Sequence, residues 1–252
     1  MLSISPIPTF NDNYIWLIET EHGAWVVDPG DPAPVLDALA HKQLSLSGVL
    51  ITHHHFDHTG GIAALRERFP ELIVYGPDNP QIEGITHPVR DGERVVVDDH
   101  TFKVIAVPGH TLDHVAYVGE DVLFCGDTLF AGGCGRMFEG SAPVMQASLA
   151  KLAQLPENTK VYCAHEYTLA NLAFAKAVEP NNAALDARIE QARALREQGV
   201  PTVPSDIALE RATNPFLRWD VAEVKHAAKA HNANDGSPAA VFGALRQWKD
   251  EF

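Results

Sequence analysis

The chain reads as an α/β protein with mixed sheets followed by a helical segment, on three observations. Short apolar runs of strand length recur between residues 14 and 164, interrupted by helical patterns at 32–41, 60–69 and 141–154. From Tyr167 onward the composition shifts to Ala, Leu, Glu and Arg with helical spacing. Side chains able to bind a metal sit just past one strand-like run after another, where α/β folds tend to place their sites.

In order, Tyr14–Ile18 and Ala24–Val27 read as paired strands around Glu21-His22-Gly23, closed by Asp28-Pro29-Gly30. Residues 32–41 form a helix with Pro32 in its first turn. Gly48–Ile51 is a short buried strand, followed by a His-rich loop and a helix over 60–69. Leu72–Tyr75 is a strand and 76–80 a loop. Strands follow at 94–97, 101–107, 114–118 and 121–124, then the helix at 141–154 and a strand at 160–164. Helices are expected at 168–178, 182–198, 220–230 and 238–249, with Pro201 and Pro204 ending the second. The chain of 252 residues can bury a full core, as one large domain or two.

A net charge of −14 with no basic run argues against nucleic-acid binding. No apolar stretch approaches the 18 residues of a membrane span. The start, Met1-Leu2-Ser3-Ile4-Ser5-Pro6, lacks the basic and long apolar regions of a signal peptide. Three cysteines make no disulfide framework, and Cys125 and Cys163 fall in buried strands. Cys134 lies in a glycine-rich loop and is not needed as a ligand. The expectation is a cytoplasmic monomer acting on a small molecule, with no nucleic-acid or membrane partner.

The informative stretch is Thr52-His53-His54-His55-Phe56-Asp57-His58. In an extended end, residues two apart point the same way, so His53 and His55 project together and His54 faces away. A turn brings Asp57 and His58 round from the next helix. His110 follows the strand at 102–107, Asp127 follows 121–125 and His165 follows 160–164. His and Asp clustered in this way point to a metal site rather than a solvated His tract. His114 reads as a core histidine or a neighbour of a ligand, and Asp113 as a turn residue. Asp28 is either a turn former or a hydrogen-bond partner of a ligand histidine.

The run at 52–58, Pro108-Gly109-His110, Gly126-Asp127 and Ala164-His165-Glu166-Tyr167 resemble the metallo-β-lactamase superfamily. Within it, Pro8–Trp16, Gly132-Gly133-Cys134-Gly135-Arg136 and Leu245–Asp250 resemble glyoxalase II, the hydroxyacylglutathione hydrolases. The resemblance spans essentially the whole chain. It implies an αββα sandwich over 1–166 and a helical substrate-binding domain over 167–252. It implies that His53, His55 and His110 hold one metal ion and Asp57, His58 and His165 a second, with Asp127 bridging both. It tips Asp28 towards the ligand-partner role.

Nitrogen and oxygen donors suit zinc, and also iron or manganese. Two cations about 3.5–4 Å apart share a water and lower its pKa towards about 7, giving a bridging hydroxide that Asp57 can orient. A thioester suits this chemistry, because its thiol, with a pKa near about 8.5, leaves without a general acid. Arg246 and Lys249, three apart on one helix face, match the pair that grips the glycine carboxylate of glutathione in the family. Tyr167 and Arg136 match contacts to the glutathione backbone. Phe138 stands where some members carry Tyr, so one hydroxyl donor is missing. The implied reaction is hydrolysis of S-D-lactoylglutathione to D-lactate and glutathione, a step of methylglyoxal detoxification.

Overall fold

The computed structural model describes residues 2–252; Met1, the first residue of the start read above, lies outside the described residues. The chain forms two compact units, one comprising residues up to Ala106 with Asp113–Gly126, the other Val107–Leu112 with Asp127–Phe252.

The first unit begins with β1 (Ser3–Thr9), β2 (Asn13–Glu19) and β3 (Ala24–Val27). It continues through α1 (Pro32–Lys42), β4 (Leu46–Leu50), the short α2 (Phe56–Thr59), α3 (Ile62–Arg68), β5 (Ile73–Pro77) and β6 (His87–Val89). These strands form one mixed sheet in the order β1-β2-β3-β4-β5-β6. The β1–β2–β3 pairings are antiparallel and those from β3 to β6 are parallel. Parallel neighbours need long crossovers, and α1 and the α2–α3 segment supply them between β3, β4 and β5. Six of the seven residues of β2 are buried, the continuous pattern of a strand covered on both faces. Ile15, Leu17, Val26, Val49 and Ile51 pack with Val35, Leu39 and Leu65 of the helices.

Asp31 caps α1 by accepting from Ala33 N at 2.9 Å, with Pro32 at the first position. The predicted helix at 60–69 starts later, because α2 and α3 are separate around Gly60-Gly61. β1 was not expected. Its Pro6 and Pro8 weaken a strand signal, and the sheet tolerates them because β1 is an edge. The unit's second set of strands is β7 (Arg94–Val97), β8 (His100–Ala106), β9 (Val115–Val118) and β10 (Val122–Gly126), an antiparallel meander. Its outer strand β7 alternates exposed and buried residues, so one face is wet.

The second unit contains a small ladder, β11 (Leu129–Phe130) with β12 (Gly133–Cys134), then α4 (Ala142–Leu152) and β13 (Lys160–Cys163). Next come α5 (Thr168–Val178), α6 (Ala183–Glu197), β14 (Ser205–Asp206) pairing with β13, and α7 (Ile207–Thr213). A 3-10 turn at Pro215–Leu217 leads to α8 (Ala222–Ala230) and α9 (Pro238–Glu251). Leu172 and Ala175 of α5 pack on Leu185 and Ala192 of α6. Phe174 lies against Phe216 and Trp248, and Phe216 against Phe242. Among the described residues no helix is long and apolar enough to cross a membrane.

Candidate metal centre

Each unit presents its own set of donors. In the first, β4 delivers the chain to Thr52, and α2 starts at Phe56 with His55 as its N-cap. His53 Nε2 lies 3.1 Å from His55 Nδ1, so the two do project together. His58 Nε2 is 3.5 Å from Asp57 Oδ2, and Asn13 Nδ2 donates to the same oxygen at 2.9 Å. His53 and His58 are buried, with ring centroids 4.1 Å apart.

Behind these donors stands Asp28, only 4% exposed. It accepts from Thr52 N and Thr52 Oγ1, both at 2.8 Å, and its Oδ2 lies 3.0 Å from His58 Nδ1 as an ion-pair contact. Asp28 therefore sits against the Thr52 turn with its Oδ2 beside His58. The consequence is tautomeric. Thr52 has one hydroxyl proton, given to Asp28, so its oxygen must accept at the 3.0 Å contact with His53 Nδ1. His53 thus carries its proton on Nδ1 and presents Nε2 as a lone pair.

Three other polar residues surround the loop. The His114 ring stacks on His53 at 4.5 Å and 14°, while its Nδ1 donates to Val115 O at 3.1 Å. His54 faces away, as expected, and is hydrogen-bonded to Asp113 Oδ1 at 2.9 Å. Asp113 is therefore more than a turn residue: its other oxygen accepts from Asn79 Nδ2 at 2.8 Å, and together they lock His54. Gly126 ends β10 with φ +46°, and a Cβ there would lie 2.3 Å from Thr52 Oγ1; only glycine turns the chain towards Asp127 so close to that hydroxyl.

In the second unit, Asp127 Oδ2 lies 3.4 Å from His110 Nε2 and 3.3 Å from His165 Nε2. His110 Nδ1 donates to the Arg136 carbonyl at 2.8 Å, so in the neutral ring Nε2, on the side facing Asp127, carries no proton. Phe138, 65% exposed, stands edge-on to His110 at 5.2 Å. Tyr167 stacks on His165 at 4.7 Å and 7°. The donor separations of 3.1–3.5 Å within the two units are informative. A tetrahedral ion with bonds of about 2.0–2.1 Å has edges of about 3.3 Å, so the donors are spaced for a shared cation.

The expected substrate residues all lie in the second unit. Arg136 Nε is 3.4 Å from Asp250 Oδ1, and Arg246 Nη2 is 3.0 Å from the same oxygen. Lys249 donates to Asn171 Oδ1. Burial, and then the neighbouring Arg246 charge, lower the Lys249 pKa to about 8. Arg246 is only 2% exposed and also donates to Cys134 O at 3.0 Å, which a solvated basic face does not require. Cys134 itself is buried, which pushes its thiol up. The sequence reading assigned no role to Asn13, Thr52, Asn79, Asn171, Glu210 or Asn214, all of which hold donors or their loops.

The fold and these His and Asp groups define a metallohydrolase of the metallo-β-lactamase type. The family profile described as metallo-beta-lactamase superfamily matches residues 8–165, and that described as hydroxyacylglutathione hydrolase C-terminus matches 166–252. The chain belongs to the hydroxyacylglutathione hydrolases of that superfamily. It is 53% identical to the hydroxyacylglutathione hydrolase of Aliivibrio salmonicida and 52% identical to that of Shewanella pealeana, covering 100% of both chains in each pair. Among solved structures it is similar to ETHE1 from Myxococcus xanthus (TM-score 0.67, 27% identity, 99% of this chain and 98% of that one). It is also similar to TTHA1623 in a di-iron-bound form (TM-score 0.63, 26% identity, 84% and 100%). The superfamily fold and the His and Asp groups support a dinuclear metal centre.

Proposed function

We propose that this chain hydrolyses S-D-lactoylglutathione to D-lactate and glutathione. The observation that carries the substrate is the cationic cluster of Arg136, Arg246 and Lys249 around Asp250, in the unit that also holds His110, Asp127 and His165. A tripeptide thiol ending in a carboxylate has the matching charge.

His53, His55 and His110 would hold one ion and Asp57, His58 and His165 the other, with Asp127 shared. Zinc is our assignment, on the nitrogen and oxygen donor set. When bound, the pair supplies acidified water and positive charge for the oxyanion. The chain's own residues do the rest. Asp57, held by Asn13, orients the nucleophile and takes up its proton. Lys249 and Arg246, the latter from its buried position, serve the glycine carboxylate, and the exposed Arg136 serves the glutathione backbone. Tyr167 and Phe138 flank His165 and His110, where they wall the thioester. A thiolate leaves without an added acid. We place the helical residues 167–252 as the substrate-binding domain and the reaction in the cytoplasm, where the three buried free cysteines stay reduced.

The test follows loss of thioester absorbance with and without prior chelation. Loss that stops on chelation and returns with zinc supports the proposal. No loss from protein carrying two metal ions refutes the substrate.

A further inference from the structure

The glycine-rich segment at 129–136 is buried from Leu129 to Gly135, yet beyond the short β11–β12 ladder it has little regular backbone pairing. Buried peptide groups must find partners, and here side chains of the helical elements provide them. Asn214 Nδ2 donates to Phe130 O at 3.3 Å and Gly133 O at 2.9 Å. Asn171 Nδ2 donates to Ala131 O at 3.1 Å, and Arg246 Nη1 to Cys134 O at 3.0 Å. Gly132 N donates to Glu210 Oε2 at 2.9 Å.

Glu210 and Asn214 are fully buried, and Arg188 is 5% exposed. Glu210 Oε1 accepts from Arg188 and Ser205, its Oε2 accepts from Asn214 at 3.0 Å, and Arg188 also donates to Thr213 Oγ1 at 2.6 Å. Burying an ion pair is a poor source of stability compared with packing apolar groups of the same volume. What this one provides is a fixed acceptor for a loop amide. The loop has no slack on its other side: Gly132 has φ +70°, and a Cβ on it would lie 2.7 Å from Leu172 Cδ2.

Downstream, the loop reaches the donors. Gly135 N donates to Thr128 O at 3.3 Å, a Cβ on Gly135 would lie 2.0 Å from Asp127 O, and the Arg136 carbonyl holds His110 Nδ1 at 2.8 Å. We propose that the buried Arg188–Glu210–Asn214 network is a positioning device for His110, acting through the 130–136 loop. Glu210 and Asn214 touch no reacting atom; they set where the Arg136 carbonyl points, and so the tautomer and tilt of the imidazole. This rests on the reading of His110 as a metal ligand.

Three variants test it: Glu210→Gln, whose amide keeps the shape but cannot accept on both sides; Asn214→Ser, which removes both carbonyl clamps and leaves the ion pair intact; and His110→Ala as reference. Apo-protein is titrated with zinc against a chromophoric chelator, and amide exchange is followed over 130–136. The expectation is faster exchange at Gly132 and Gly133, with about tenfold or greater loss of affinity for one of two zinc equivalents, the one that His110→Ala abolishes. Faster exchange with both zinc affinities unchanged overturns the proposal, as does unchanged exchange. Unchanged zinc binding in His110→Ala overturns the metal reading itself, and the proposal with it. If Glu210→Gln does not fold, Asn214→Ser carries the same outcomes.

Discussion

Replacing Asp28 by Asn should disarm His53 through Thr52. The carboxylate accepts from Thr52 N and Thr52 Oγ1 in a 4% exposed position, and its Oδ2 also lies 3.0 Å from His58 Nδ1. Asn has one acceptor oxygen. If that oxygen stays on Thr52 N, the amide nitrogen faces the Thr52 hydroxyl donor. Relief requires the hydroxyl to turn and donate to His53 Nδ1, which then carries its proton on Nε2 instead. That shift places a proton on the nitrogen meant for metal. Losing such a partner typically costs 10–100-fold in metal affinity, or about 1.4–2.7 kcal/mol. A further destabilisation of about 1–3 kcal/mol follows if the buried Thr52 hydroxyl or amide goes unpaired. Chelator competition on apo-protein measures the first quantity and urea unfolding the second. Zinc affinity within twofold of the parent, in a variant with native near-UV dichroism, would refute the tautomer argument.

Three further outcomes are expected. Lys249, brought down to about 8 by burial and Arg246, is charged below that pH and neutral above it, so KM for the anionic substrate should rise as pH increases through 8 while kcat holds. The same depression means folding disfavours the charged form, so the residue's unfavourable contribution to stability should fade between pH 8 and about 10.4; a Lys249→Met variant that keeps the parental pH dependence of KM would exclude Lys249. Asp127→Ala should lose metal content and turnover together, and full loading with full turnover would remove its shared role. Cys163, pushed up to about 12 by burial, and its buried companions Cys125 and Cys134 should resist a maleimide in the native state and react in denaturant; rapid native labelling contradicts their placement.

Much of this was legible because the signals were local. Short apolar runs marked β2 to β5 and the meander, helical spacing marked α5 and α9, and Pro201 and Pro204 marked the end of α6. The histidine run and three strand-end donors announced the metal chemistry. β1 escaped because two prolines mask an edge strand, and α7 because seven residues are too few for a period to show. The supporting residues escaped for a different reason. Asn13, Asn171 and Asn214 are ordinary loop or helix residues in sequence, and what distinguishes them is the carbonyl or carboxylate each one meets. Asp113 shows the same limit: turn chemistry describes it, but its hold on His54 depends on a histidine 59 positions away.

The β1–β2 pairing also bears on the order in which the molecule assembles. Its register runs unbroken from Ser3↔Glu19 to Thr9↔Asn13, so every contact closes a short loop. Hairpins of this kind form in about 1–10 μs, whereas the parallel β3–β4 pairing waits on the whole α1 crossover. Asn13 flanks the turn that closes that hairpin and gives its amide to Asp57. One wall of the histidine loop is then a finished surface before the loop arrives, and the loop is cast against it. Pulse-labelling exchange during refolding should show β2 amides protected ahead of those in β4; the reverse order would mean that the sheet grows outward from its parallel half.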